Sequence, residues 1–461
     1  MTGSGPSRQW PEALMSKPAG ADGRDRYLAD FKKFTQNGGA HAPPWLADLR
    51  ERAARRFAEI GFPTVKEEAW RFTNVAPLLE TAFSPAKPDV LHSVSVLAGL
   101  TVGGDAGNRL VFVNGRFESA LSSVRGLPPN VRFENLQSAL QASPDVVRKH
   151  LGQHAKFDEN GFTALSTAFV HDGAFLHIPR GVDLRDTLEI LFLSTPAGGA
   201  WVSHPRTLVV VDEGARGLVV ERYAGPDTDR YFTNAVTELV LGNGARLDHC
   251  RVQQEGSNSY HLAATHSTQA RDTVLESCSV ALGSALARHD IGAVMDGAGG
   301  NLILNGLTLA GGRQHIDHHT TIDHAQPHCE SHELFNGIFD DQARGVFTGR
   351  IIVRPGAQHT DSKQTNNSLL LSPEARADSQ PQLEIYADDV KCTHGATLGP
   401  VDDAAMFYLR SRGLDAFEAR NLLTYGFAAD IISRIGSEDM RSHLYPLLLE
   451  RLCRQRTGAA T

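Results

Sequence analysis

The sequence predicts a mainly β protein: a right-handed parallel β-helix core flanked by N-terminal and C-terminal helical domains. Three observations carry this reading. From Phe157 to Val401 the chain runs in short β-branched and aromatic stretches, cut by polar turns such as "GNGAR", "DGAGGN", "DDQARG" and "RPGAQ". Loose echoes recur at "EGARGLVV", "GNGARLDH", "TQARDTVL" and "DQARGVFTG", each a turn followed by an alternating strand, which is how stacked solenoid coils read. On either side of this region the apolar residues fall at helical spacing. A β-sandwich would also give many short strands, but about 245 residues of them with no helical interruption favour the stack.

Residues 1–24 read as a flexible tail, because they lack an apolar signal core and carry acidic residues; this argues against a secretory signal or transit peptide and places the chain in the cytoplasm. Residues 25–156 read as mainly helical. In "PPWLADLRERAARRFAEIGF" the prolines suit a helix start, and Leu46, Leu49, Ala53, Phe57 and Ile60 form one apolar stripe. In "RLVFVNGRFES", Asn114-Gly115 between alternating runs predicts a β-hairpin. A further helix is expected near Ala139 to His150. The core spans 157–401. Residues 402–461 turn helical again: Gly413 can end one helix in the left-handed conformation, and Asp415 with Glu418 forms a capping box for the next. Leu423, Phe427, Ile431 and Ile435 lie at four-residue steps along that helix, and Gly436-Ser437 ends it. Such a module can cover the open end of a solenoid or present a face to a partner.

At 461 residues the chain is long enough for two or three units. No run approaches the ~20 apolar residues of a membrane span. Five widely spaced cysteines without a CxxC give neither a disulfide framework nor a zinc finger. A net charge of −8, with no long Lys or Arg run, argues against nucleic acid. No GxSxG elbow, HExxH or P-loop is present, and Asp388-Asp389 and Asp402-Asp403 are adjacent pairs whose side chains diverge, so nothing indicates an enzyme.

Two stretches carry possible chemistry. In "LEIYADDVKCTHGAT" strand alternation puts Val390, Cys392 and His394 on one face, with Lys391 and Thr393 on the other. Cys392 and His394 could converge on a soft metal ion or hold a sulfur intermediate, although two ligands alone also describe a buried hydrophobic face. The second stretch, "RQHIDHHTTIDHAQPHCESHE", holds His315, His318, His319, His324, His328 and His332 near Cys329. Parity sets His315, Asp317, His319 and Asp323 on one side and His318 and His324 on the other, so no face collects a full ligand set. A solvated or interface-facing strand is the reading here, with a stand-alone metal-binding β-helix protein using residues 315–332 as the alternative. A β-helix carbohydrate-active enzyme would want a secretion signal and an acidic row, and neither is evident.

"PQLEIYADDVKCTHGATLG", followed by "FYLRSRGLDAFEARNLLTYGFAADI", resembles the SufB/SufD family of iron-sulfur cluster assembly proteins, on its SufD side. The likeness covers roughly residues 157–450, and "KEEAWRFTN" resembles the family's helical N-terminal domain. It implies a non-enzymatic subunit that pairs with a SufB-like paralog through the β-helix and docks a SufC-like ABC ATPase on its C-terminal helices. Arg410, Arg412, Gly413 and Phe427 are nominated for docking because they surround the helix corner. The resemblance also implies that Cys392 and His394 face the paralog, meeting iron or a nascent cluster transiently, with no cofactor bound tightly by this chain alone. Where SufB-type proteins carry a strand cysteine, "TDSKQTNNSLLLS" has only Asn366 and Asn367, which implies a shared site completed by the partner. A homodimer in isolation fits the same interface.

Overall fold

The computed structural model describes residues 19–37, 42–86, 107–196 and 198–454. The expected 1–24 tail falls partly outside them, and the helix Ala19–Asn37 begins within that stretch. That helix is held by Tyr27, whose ring meets the edges of Phe57 and Phe62.

The core is a parallel β-solenoid of about eight turns. From Arg206–Val211 to Lys391–Gly399 successive strands alternate between two sheets, and each pairs in parallel with the strand two further along the chain. Register partners lie between 26 residues apart, as Tyr260 with Leu286, and 32 apart, as Arg344 with Arg376. This variable coil length explains why the sequence echoes are loose. The antiparallel pairs sit at the N-terminal end. One is the expected hairpin, where Asn114 and Gly115 have φ of 50° and 78° and Phe112 opposes Phe117. The other joins Arg132–Asn135 to Ala174–Ile178.

One corner of the stack repeats a left-handed residue in six successive coils: Gly214, Gly244, Asp272, Gly299, His328 and His359. Each donates its N–H to a carbonyl of the next coil, from Gly214 to Asn243 through to His359 to Asp389. The early coils mostly use glycine, which adopts positive φ without strain. The later coils use two histidines, whose rings stack with centroids 4.7 Å apart.

The expectation of uninterrupted strands from 157 onward fails at one point. Gly161–Ala168 is a helix, capped by Asn160, whose side chain accepts from Phe162 and Thr163 N–H groups; every one of its residues is buried. It packs on Pro44–Ile60, where Leu46, Leu49, Ala53 and Phe57 are buried as the stripe requires. The helix expected near Ala139 to His150 is two short helices, Leu136–Ala142 and Pro144–His150. Pro144 opens the second, and its ring disfavours helical geometry at the preceding Ser143, which sits at φ −139° and ψ 49°.

Arg288 ties the helical region to the solenoid. Its guanidinium lies 3.9 Å from the Trp70 ring centroid, donates to Ala69 O, and pairs with Asp317, whose carboxylate also accepts from the Thr73 hydroxyl at 2.6 Å.

Three helices follow the last strand among the described residues: Asp403–Ser411, Ala416–Ile432 and Glu438–Arg454. Gly413, at φ 99°, makes the corner, and the Asp415/Glu418 capping box forms in full. The buried face of the second helix is Ala419, Thr424, Ala428, Ile431 and Ile432, not the Leu423–Phe427 row. The small residues let the helix approach the sheet, where Leu307, Leu309 and Ile338 receive it, and leave the larger Leu423 and Phe427 at its half-buried margin.

Candidate functional site

Cys392 and His394 lie on Lys391–Gly399, the last strand of the stack. This strand pairs with Asp361–Leu370 along one edge, and among the described residues its other edge has no neighbour. Nearly all its residues are exposed; Cys392 is half-buried and His394 exposed. Around the same end Tyr386, Leu398 and Ile385 are 61%, 57% and 41% exposed. A free strand edge with apolar neighbours is a template for pairing with another chain.

The register shows what lies beneath each candidate. Cys392 stands against Ser362, and Ser362 against Ser331. The two serine hydroxyls are 2.8 Å apart, and Ser331 is 2.8 Å from His324 Nε2. Val390 and Cys392 pack on a small apolar cluster of Ile351, Val353, Ala357 and Ala387. Burial, aided by the Asp361 carboxylate, pushes the Cys392 thiol above its ordinary value, so it stays protonated until a cation or reactive sulfur displaces the proton. His394 stands against Gln364, and Gln364 against Glu333. These buried columns escaped sequence reading; the signal that finds them is strand parity carried from coil to coil.

Asn366 and Asn367 occupy the strand beside the edge. Asn366 is buried and donates to Phe335 O, while Asn367 accepts from Thr397 at 2.6 Å.

The His-rich segment separates as its parity indicates, and its strand lies inside a sheet with one face buried and the other partly exposed. His315–His324 lies inside a sheet, between Leu286–Met295 and Arg344–Val353. His315 and His319 meet the N-terminal domain and Arg288, at 3.0 Å from Thr73 Oγ1 and 2.7 Å from Arg288 Nη2. His318 points into the lumen between Ser279 and Thr308. His324 is buried against Ser331, His328 stacks at the corner, and His332 is exposed. Cys329 is buried. Among the described residues no group of three or more His, Cys, Asp or Glu is placed to hold a metal ion. Tight coils commit the buried imidazoles to different neighbours, which keeps them from converging.

At the C-terminal corner Arg410, Arg412 and Gly413 are exposed, and Arg412 lies 5.2 Å from the Tyr408 ring centroid. Phe407 and Tyr408 are 76% and 57% exposed. Phe427 stands apart, half-buried, with its carbonyl accepting from Asn336.

These features define a β-solenoid with a terminal helical module, an open last strand bearing one thiol and one imidazole, and an exposed aromatic corner. The SufBD core domain of SUF-system FeS cluster assembly matches residues 193–427, and the SufBD protein N-terminal region matches 21–190. The chain belongs to the SufB/SufD family of iron-sulfur cluster assembly proteins. It is 32% identical over 407 residues to an iron-sulfur cluster assembly SufBD family protein of Synechocystis, covering 87% of this chain and 89% of the relative. Identity to the iron-sulfur cluster assembly protein SufD of Escherichia coli is 31% over 395 residues, covering 85% and 90%. For the Bacillus subtilis protein of the same name it is 26% over 433 residues, covering 92% and 96%.

Proposed function

We propose that this chain is the SufD-like subunit of a SufBCD-type assembly complex. It pairs with a SufB-like paralog along its last strand and docks a SufC-like ABC ATPase on its C-terminal helices. The observation that carries the reading is the open edge of Lys391–Gly399, where Cys392 and His394 sit half-buried and exposed beside apolar Tyr386 and Leu398. A thiol and an imidazole suit iron and sulfide chemistry but make an incomplete ligand set. The paralog supplies the remaining ligands, and the iron or nascent cluster is cargo held at the interface, not a resident cofactor of this chain. ATP-driven closure of the ATPase subunits would shift the interface through the helical modules and open the pair to cargo. The complex is non-enzymatic on this chain's side and works in the cytoplasm. In isolation the same edge would pair with a second copy.

The test is cluster loading on the co-purified complex. Cys392→Ser and His394→Ala should each lower iron and sulfide loading at least several-fold while the subunits still co-elute. Unchanged loading in both variants would make the pair structural.

A further inference from the structure

Two coils in from the open end, the lumen holds a carboxylate and an amide that pair most fully when the carboxyl is neutral. Glu333 and Gln364 are register partners, 2% and 1% exposed, and Gln364 Nε2 donates to Glu333 Oε2 at 2.6 Å. The other oxygen of each, Glu333 Oε1 and Gln364 Oε1, has no well-formed hydrogen bond among the described residues. An ionised Glu333 would leave the Gln364 carbonyl oxygen buried without a proton, and only the Thr320 hydroxyl could serve the second carboxylate oxygen. A neutral one lets its O–H donate to the amide carbonyl and closes a two-bond acid–amide pair. The surroundings agree. Leu304 and Gln364 flank Glu333 in its own sheet, the Thr320 hydroxyl reaches it from the facing sheet, and Gly349 leaves room for the Gln364 amide. Among the described residues no charged side chain acts on it, and burial pushes its carboxyl up to about 7.

We propose that Glu333 is carried as a neutral acid paired with Gln364, and that it is the proton store of the Cys392/His394 edge, giving up its proton when that edge takes a cation. The coupling rests on the reading of the edge as the loading site. His394 is the next register partner of Gln364, which puts the edge roughly 10 Å from Glu333. A divalent cation that binds Cys392 as thiolate displaces one proton from the thiol and adds one net positive charge. At an effective dielectric of about 20, one charge at that distance lowers a carboxyl pKa by about one unit. Near pH 7 the protonated fraction of Glu333 then falls from about a half to about a tenth, and that proton leaves to solvent. Glu333 is a positioning residue in this scheme: it touches no cargo and balances the charge that cargo brings.

Difference infrared spectroscopy of the full chain, with Zn²⁺ as a redox-inert probe, tests this. A carboxylic acid carbonyl band should fade as pH rises through about 7 and be absent in Glu333→Gln. Glu333→Asp retains a carboxyl that cannot reach Gln364, so its band should move. Zn²⁺ should lower the midpoint by about one unit in the wild type. Cys392→Ser/His394→Ala should keep the band and lose the Zn²⁺ response. If neither Glu333 variant alters any band, the neutral acid is overturned. A band that Zn²⁺ never shifts overturns the coupling. Zn²⁺ affinity unchanged in the double variant sinks the edge as a cation site while leaving the acid–amide pair standing, so the two failures are distinguishable.

Discussion

Arg206 and Glu238 form an ion pair with side chains 1% and 0% exposed, and the same carboxylate accepts the backbone N–H groups of Gly152, His154 and Ala155. One buried acid therefore fastens the turn after Pro144–His150 to the solenoid wall.

Removing one partner of such a pair strands the other charge in the protein interior. Glu238→Gln should destabilise the fold by about 3–5 kcal/mol, read as a lower denaturant midpoint. Arg206→Met/Glu238→Met should cost clearly less than the sum of the single changes, because neither charge is then left alone. Additive losses would mean that the carboxylate acts only through the three backbone N–H groups.

The pattern of buried imidazoles makes stability depend on pH. Burial lowers His318 and His324 to about 4 and His204 to about 3. Between 6.5 and about 4 the unfolded chain takes up protons that the fold refuses, so stability is present above 6.5 and is lost as pH falls through that window. Each such histidine contributes on the order of 3 kcal/mol to the loss by pH 4. Glu333 acts in the opposite sense. Its raised folded value favours the fold below about 7, and that share is lost as pH rises from the ordinary carboxyl value toward 7. Melting temperature should therefore fall as pH drops from 7 to 5, and the fall should be shallower in His318→Gln, which cannot titrate. An equally steep fall in that variant would place the sensitivity elsewhere.

How much of this was readable beforehand follows from period and range. Period two along "LEIYADDVKCTHGAT" placed Cys392 and His394 on one face, and the Asp415/Glu418 capping box needs only three residues of separation, so both were legible. The Asn114-Gly115 hairpin was legible for the same local reason. The Gly161–Ala168 helix was not, since it is buried on every face and so carries no amphipathic stripe. The His315–His332 segment misled the reading of its surroundings: parity sorted its side chains, but burial of the strand depends on neighbours 29 residues away on either side. Glu333 and Gln364 belong to the same class. Their separation of 31 residues has meaning only once coil length is known.

The exposed aromatic corner gives the sharpest separation between capping and docking. A helical module that only covers the solenoid buries its large apolar groups against it, as Ile431, Ile432, Met440, Leu444 and Leu448 do here. Phe407 and Tyr408 point away from that contact, and they share the exposed helix Asp403–Ser411 with Arg410 and adjoin Arg412. Aromatic and Arg side chains in one exposed cluster are the composition of an interface hot spot, where single truncations cost about 2 kcal/mol or more of binding. Under the proposed docking of an ABC-type ATPase, Phe407→Ser and Tyr408→Ser should each weaken its binding by at least about tenfold in a titration. Because these side chains bury little in the isolated chain, melting temperature should stay within the small range expected of surface changes. Phe427→Ala should do the reverse: its half-buried ring at the sheet margin should lower stability with little direct effect on ATPase affinity. If both serine variants lower the melting temperature and leave affinity unchanged, the corner serves the chain's own packing, and the docking surface lies elsewhere on the C-terminal helices.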